Sequence, residues 1–147
     1  MAADRSYIAE NDRERRRLEA LVGKLDDAAL SRTMLAGWTV AGVLAHLAFW
    51  DQRIVVLSEL LKRAAPVPTE DSTHVDWIND AAKPMQLALP PRRAATLAVD
   101  TARASDHAVA TLPDELLAKN AAIGSPINLL RAEHRREHLD EIEQARG

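Results

Sequence analysis

Between Thr39 and Lys62, Val43, Leu47, Trp50, Ile54, Leu57 and Leu61 recur at steps of three and four residues, a spacing that commits the segment to an amphipathic helix with one buried face. Thr39 is a good N-cap for it, and Trp38 can pack on Val43 as a hydrophobic staple. Lys62 and Arg63 fall in the last turn, where cations suit the helix dipole, and Pro66 and Pro68 end the helix. A long helix with a single apolar stripe is stable only against other helices or a sheet. The rest of the chain supplies helices.

From about Ser6 to Val22 the pattern is charged on most sides, with Ile8, Leu18, Leu21 and Val22 as its few apolar contacts, and Gly23 offers a stop. Asp26 or Asp27 can cap a short turn through Leu30. A third helix is expected from about Arg92 to Leu112, with Leu97, Ala104, Ala108 and Leu112 inward and Pro113 as its stop. The fourth is expected to start at Gly124-Ser125-Pro126, Ser125 capping and Pro126 in the first turn, and to run nearly to Gly147. Between Pro66 and Pro91 lies a segment too long for a hairpin link, with its own apolar set of Val75, Trp77 and Ile78. It reads as a crossover. With 147 residues and only five aromatics among 47% hydrophobic residues, the expectation is an all-α fold in one domain over residues 1–147, a four-helix bundle with a long crossover between helices two and three.

The net charge of −3 gives no field to hold a polyanion. The one dense basic run, Arg15-Arg16-Arg17, is interleaved with Asp12, Glu14 and Glu19 and reads as a solvated helix face rather than a nucleic-acid contact. With no cysteine, the chain can form neither disulfides nor thiolate metal sites, and any metal must use histidine or carboxylate. The N-terminal residues lack the apolar segment of a signal peptide, and nowhere do 18 apolar residues run together, so no membrane association and a cytoplasmic location are expected.

Stepping about 100° per residue along the last helix puts Ile127, His134, His138 and Ala145 in one narrow stripe, with Leu130, Arg131, Glu141 and Ile142 at its edges. Glu133, Arg135, Arg136, Glu137 and Asp140 then form the polar surface. Two inward imidazoles one turn apart would each leave nitrogens unpaired at a cost of a few kcal/mol unless something satisfies them. A metal ion does so, since histidines at i and i+4 can both direct a nitrogen to one ion. A third ligand must come from another helix. His46, about 60° from the centre of the Val43–Leu61 stripe, is the best placed, although a histidine at such an edge also suits a hydrogen-bonded core position. His74, in the crossover, and His107, off the inward stripe of its helix, read as non-ligands. His134-Arg-Arg-Glu137-His138 also fits the H-x-x-E-H pattern of inverted zinc proteases, but only nine residues follow His138, and that family draws its remaining ligand from far downstream. Glu137 then serves as a surface ion-pair partner or a group near the metal. Trp50, one turn beyond His46, walls a pocket at the metal or simply packs in the core.

Gly37-Trp38-Thr39-Val40, then Val43-Leu44-Ala45-His46-Leu47-Ala48 and Trp50-Asp51, resemble the second-helix signature of the DinB/YfiT-like superfamily, which includes the N-terminal domain of mycothiol-dependent maleylpyruvate isomerase. The resemblance runs from about Leu21 to Ile142. It implies a four-helix bundle, a homodimer, and a divalent metal, often zinc or nickel, held by one residue of helix two and two of helix four. Carried onto this sequence the ligands are His46, His134 and His138.

Two functions follow. Three protein ligands leave a metal an open position, the arrangement of catalytic sites, and the resemblance implies a thiol S-transferase or isomerase acting on a small molecule with mycothiol, bacillithiol or another low-molecular-weight thiol. The alternative is a non-catalytic bundle, braced by its metal, that binds or sequesters a small molecule. A fourth position filled by Glu141 or Glu137 would favour that second role.

Overall fold

The computed structural model describes residues 3–68 and 75–146, all helical apart from connecting segments and one isolated bridge between Thr33 and Thr39. Among the described residues seven α-helices follow in order: α1 (Tyr7–Lys24), α2 (Asp27–Leu30), α3 (Val40–Lys62), α4 (Val75–Ala88), α5 (Pro91–Ala110), α6 (Asp114–Ala122) and α7 (Ala132–Arg146).

α3 begins where its sequence says it should: the Thr39 side chain accepts a hydrogen bond from the Gly42 amide at 2.9 Å. Val43, Leu47, Ile54, Leu57 and Leu61 are buried as the stripe requires, and every residue from 40 to 48 is buried besides. The helix is therefore the centre of the molecule rather than one wall of it. It packs along α5 and meets α4, α6 and α7. By length and a hydropathy of 1.4 it matches a membrane span, yet 67% of that window is buried against the other helices, which accounts for its apolarity.

α5 turns Ala94, Ala95, Ala98 and Ala102 inward, all fully buried, and these small side chains allow close approach to α3. Ala104 is exposed rather than inward, because the buried phase of α5 runs through Ala98, Ala102, Ser105, Asp106 and Val109. α1 packs against both α5 and α7, and α3 closes the ring by meeting α7.

The crossover contains a helix, α4, of 14 residues with Pro84 inside it. α4 lies on α3 at Gly42, where a Cβ would sit 2.7 Å from Leu87 Cδ2 and 3.2 Å from the Trp38 ring, so the missing side chain permits that contact. Trp77, expected among the crossover's apolar contacts, is 65% exposed.

The largest departure from expectation lies before α7. Gly124-Ser125-Pro126 does not start the last helix; it ends α6, a helix the spacing of Pro113 and Gly124 conceals. The Ser125 amide bonds Asn120 O at 2.8 Å and the Gly124 amide bonds Ala121 O at 3.3 Å, the paired closure of a Schellman motif, with Gly124 at φ 94° as its left-handed residue. Ser125, at φ 55°, is itself left-handed and cannot cap a following helix. The chain then crosses as an extended loop pinned by Asn120, whose carboxamide exchanges two 3.0 Å hydrogen bonds with the backbone of Ile127, before α7 starts at Ala132.

Candidate metal centre

α3 and α7 bring His46, His134 and His138 together. His134 Nε2 lies 3.1 Å from His46 Nε2 and 3.1 Å from His138 Nε2, and the three ring centroids are 4.7–5.0 Å apart, each pair close to edge-on. His107 is exposed on α5, and His74 lies outside the described residues.

Two-centre hydrogen bonds cannot account for both short contacts of His134. A ring nitrogen carries either one proton or one lone pair, so His134 Nε2 cannot donate to one neighbour and accept from the other. A cation satisfies all three lone pairs at once. Two nitrogens bound tetrahedrally at 2.0–2.1 Å would be about 3.3 Å apart, close to the separation found. The donor set therefore fits a divalent metal ion of the borderline kind that imidazole prefers.

The surroundings keep the rings of His46 and His134 neutral. Burial, with His138 nearby, lowers the pKa of His46 to about 4, and burial together with the neighbouring His138, His46, Arg131 and Arg135 lowers that of His134 to about 3. Neutral imidazole is the ligating form. Outside the cluster, His138 Nδ1 is 3.1 Å from Glu141 Oε2, a carboxylate one turn along that fixes the ring with Nε2 facing the other two histidines. Glu141 is thus engaged behind His138, and Glu137 is exposed. Trp38 stacks edge-on to His46 at 5.8 Å.

The histidines sit at the edge of the buried face of α7, not at its middle. The buried positions are Ala132, Arg135, Leu139 and Ile142, one residue out of phase with the stripe drawn through the histidines. Arg135 is the reason. It was expected on the surface, yet it is 1% exposed, the largest fully buried side chain among the described residues. Its guanidinium pairs with Asp106 of α5 through two bonds of 3.1 and 3.0 Å, with Asp51 of α3 at 3.3 Å and with the Asn11 carbonyl of α1 at 3.1 Å. Arg131, just before α7, bonds the other Asp51 oxygen through Nε at 3.0 Å, and Arg15 bonds Asp106 at 2.8 Å. Burial alone would lower the pKa of Arg135, but Asp51 and Asp106 more than offset it and raise it. This network joins four helices immediately behind the histidines. Its sequence signal was opposite charge on inward phases: Asp51 four residues after Leu47, Asp106 four after Ala102, Arg135 three after Ala132. Arg15 of the basic run is part of it too, and Arg17 pairs separately with Asp140 and Glu143 of α7 instead of facing solvent alone.

A cavity of about 390 Å³ opens beside the cluster, with His46, His134, Trp50, Ile54 and Arg131 among its walls. Trp50 is thus a pocket wall, held by a 2.8 Å hydrogen bond from its indole nitrogen to Asn79 of α4.

An all-helical protein with three histidines converging from its central and last helices, next to a cavity, is of the DinB-like class. The chain belongs to the mycothiol maleylpyruvate isomerase N-terminal domain family, whose model matches residues 12–142. No curated protein and no solved structure matches it.

Proposed function

We propose that the protein is a metal-dependent enzyme of the DinB-like type, a thiol S-transferase or isomerase acting on a small molecule, built on a four-helix bundle of α1, α3, α5 and α7 with α4 in the crossover. The observation that carries the reading is the convergence of His46, His134 and His138 nitrogens at 3.1 Å beside an open cavity. His46, His134 and His138 would hold a divalent ion, zinc or nickel being the metals the family resemblance implies. When bound, that ion supplies Lewis acidity and stabilises a coordinated thiol as thiolate.

The chain's own residues do the remaining work. Glu141 orients His138, and the buried Asp51–Arg135–Asp106 network holds α7 in register with α3 so that the rings meet. Trp50 and Ile54 present an apolar wall beside His46. Since the protein has no cysteine, the thiol must come from a separate molecule. A carboxylate closing the site would favour the non-catalytic alternative, and Glu141 is engaged behind His138 while Glu137 is exposed.

Elemental analysis of the purified protein tests the metal, with about one ion per chain expected, lost on His46→Ala, His134→Ala or His138→Ala and kept on His107→Ala. Cobalt-loaded protein should then develop a sulfur-to-metal charge-transfer band with mycothiol, bacillithiol or a short analogue. Full metal retention in His134→Ala overturns the triad. A cobalt site with neither the band nor thiol-dependent turnover overturns the enzyme.

A further inference from the structure

α4 repeats Ile78, Ala82, Met85 and Leu89 at steps of four and three residues, an apolar face that should seal against its neighbours. It does not seal. α3 meets that face with Ala48 and Phe49 and α5 with Leu97, and the short alanines on both sides leave a cavity of about 590 Å³ between the three helices, open to solvent. None of its lining residues borders the histidine cavity. Phe49 and Ile78 line this one, whereas their chain neighbours Trp50 and Asn79 line the other and are bonded to each other. Among the described residues no charged side chain lines it.

One polar group in that wall is without a partner. Gln86 is 7% exposed, and among the described residues neither its carboxamide oxygen nor its nitrogen meets a hydrogen-bonding group or solvent. A carboxamide carries an acceptor oxygen and two N–H donors, and burying them all unpaired is costly. The other polar lining is provided for, since the Thr101 hydroxyl donates to Leu97 O at 2.7 Å and Gln52 is exposed to water. A leucine of similar size at position 86 would spare the fold that cost.

We infer that this cavity is a second ligand site, for a neutral small molecule with a compact apolar body and one amide-like group that pairs with Gln86. The uncharged wall sets the neutrality, because a charge entering here would leave water and meet no opposite charge. Gln86 sets the polar group: only a partner that presents an acceptor beside a donor satisfies both ends of its carboxamide. The glutamine side chain has rotatable bonds enough to turn that carboxamide to a ligand while α4 stays in place. A second copy of the chain fits less well. Exposed Asp80 and Asp100 adjoin the lining residues Ala81 and Thr101, and a symmetric contact would bring these like charges together. The site stands apart from the histidines and needs no metal.

Met85 lines the cavity and Met34 does not, so protein carrying 13C-methyl methionine reports occupancy by NMR with its own control. Cyclohexanecarboxamide, its donor-free isostere cyclohexyl methyl ketone and the anion cyclohexanecarboxylate are each titrated into the full chain. The carboxamide should shift the Met85 methyl signal, spare that of Met34, and bind about fivefold or more tightly than the ketone, with the anion weakest. Gln86→Leu should abolish the preference for carboxamide over ketone and keep the Met85 shift that the ketone causes. If that variant fails to fold, Ala81→Trp, at an exposed position of the lining, should block carboxamide and ketone alike. No shift at Met85, equal affinity for carboxamide and ketone in the unaltered protein, or tightest binding of the anion overturns the assignment. So does a Met85 signal that moves with protein concentration and ignores all three probes, which would make this face a contact between copies of the chain.

Discussion

Asn11 on α1 accepts a hydrogen bond from the Ala132 amide at 2.9 Å, so the first turn of α7 is capped by a side chain 121 residues earlier in the chain. The same carboxamide donates to Leu129 O at 2.9 Å, holding the loop that leads into the helix. With Asn120 fixing Ile127, two asparagines set where α7 begins and hence where His134 stands. Replacing Asn11 by alanine leaves the buried Ala132 amide unpaired, while Leu129 O keeps its bond from the Arg131 amide, so the cost should be about 1–3 kcal/mol. Urea unfolding measures the loss, and a cost below about 0.5 kcal/mol would mean that water replaces Asn11 without penalty.

That long-range cap explains what the sequence could and could not disclose. α3 was legible to its N-cap because both its signals, Thr39 and the apolar stripe, are local. His46, His134 and His138 were legible as a group because His134 and His138 lie one turn apart on one side of α7 and His46 lies at the edge of the α3 stripe, although the α7 pair sits at the edge of its buried face. The start of α7 was not, since its capping residue lies on α1, and Gly124-Ser125-Pro126, a stop for α6, has the composition of a start. Arg135 was misplaced for a related reason. A charged residue reads as surface until its partners are known, and those partners, Asp51 and Asp106, come from two other helices.

The buried network should be among the most sensitive points of the fold. Asp106→Asn preserves shape but leaves Arg135 and Arg15 short of a negative charge in the interior, and breaking such a pair from one side costs about 3–5 kcal/mol. Removing the exposed Arg103–Glu19 pair, whose side chains are 60% and 31% accessible, should cost at most about 1 kcal/mol. Chemical denaturation of the two variants side by side gives the comparison. Similar small losses would show that Arg135 re-pairs with Asp51 alone.

Ala64 ends α3 at φ 56°, with its own amide bonded to Leu61 O and the Ala65 amide to Leu60 O, the closure that Gly124 gives α6. A left-handed alanine is disfavoured by about 1–2 kcal/mol, part of which a glycine returns to its greater freedom in the unfolded chain. Ala64→Gly should therefore raise stability by roughly 0.5–1 kcal/mol. A fall in the melting temperature would mean that the methyl group makes contacts worth more than the strain.

Metal-free protein should weaken as the medium turns acidic. His46 and His134 titrate at about 6.5 in the unfolded chain, whereas burial holds them near about 4 and about 3 in the folded one. Above pH 6.5 both states carry them neutral and nothing is lost. Below it the unfolded chain takes up protons that the folded chain refuses, so stability falls progressively towards pH 4, by at most about 1.4 kcal/mol per pH unit for each histidine. His46→Gln should flatten the profile, because one of the two groups is then gone. A slope unchanged by that substitution would place the acid sensitivity elsewhere.

Glu141 gives the most selective check on the histidine site because it touches a candidate ligand without being one. Its Oε2 lies 3.1 Å from His138 Nδ1 and fixes which nitrogen faces His46 and His134. A carboxylate in this position also makes the imidazole a better donor, and losing such a partner commonly costs 10–100-fold in metal affinity. The Glu141 side chain is 46% accessible, and water can take over part of its role, so Glu141→Ala should weaken binding near the lower end, about tenfold. The fold should be barely affected, since an exposed pair on one helix contributes only about 0.3–0.5 kcal/mol. Competition against a chromophoric chelator gives the affinity, and thermal unfolding with and without added ion gives the stability. Unchanged affinity would mean that packing against His46 and His134 alone orients His138. Complete loss of the ion would make Glu141 a ligand in its own right.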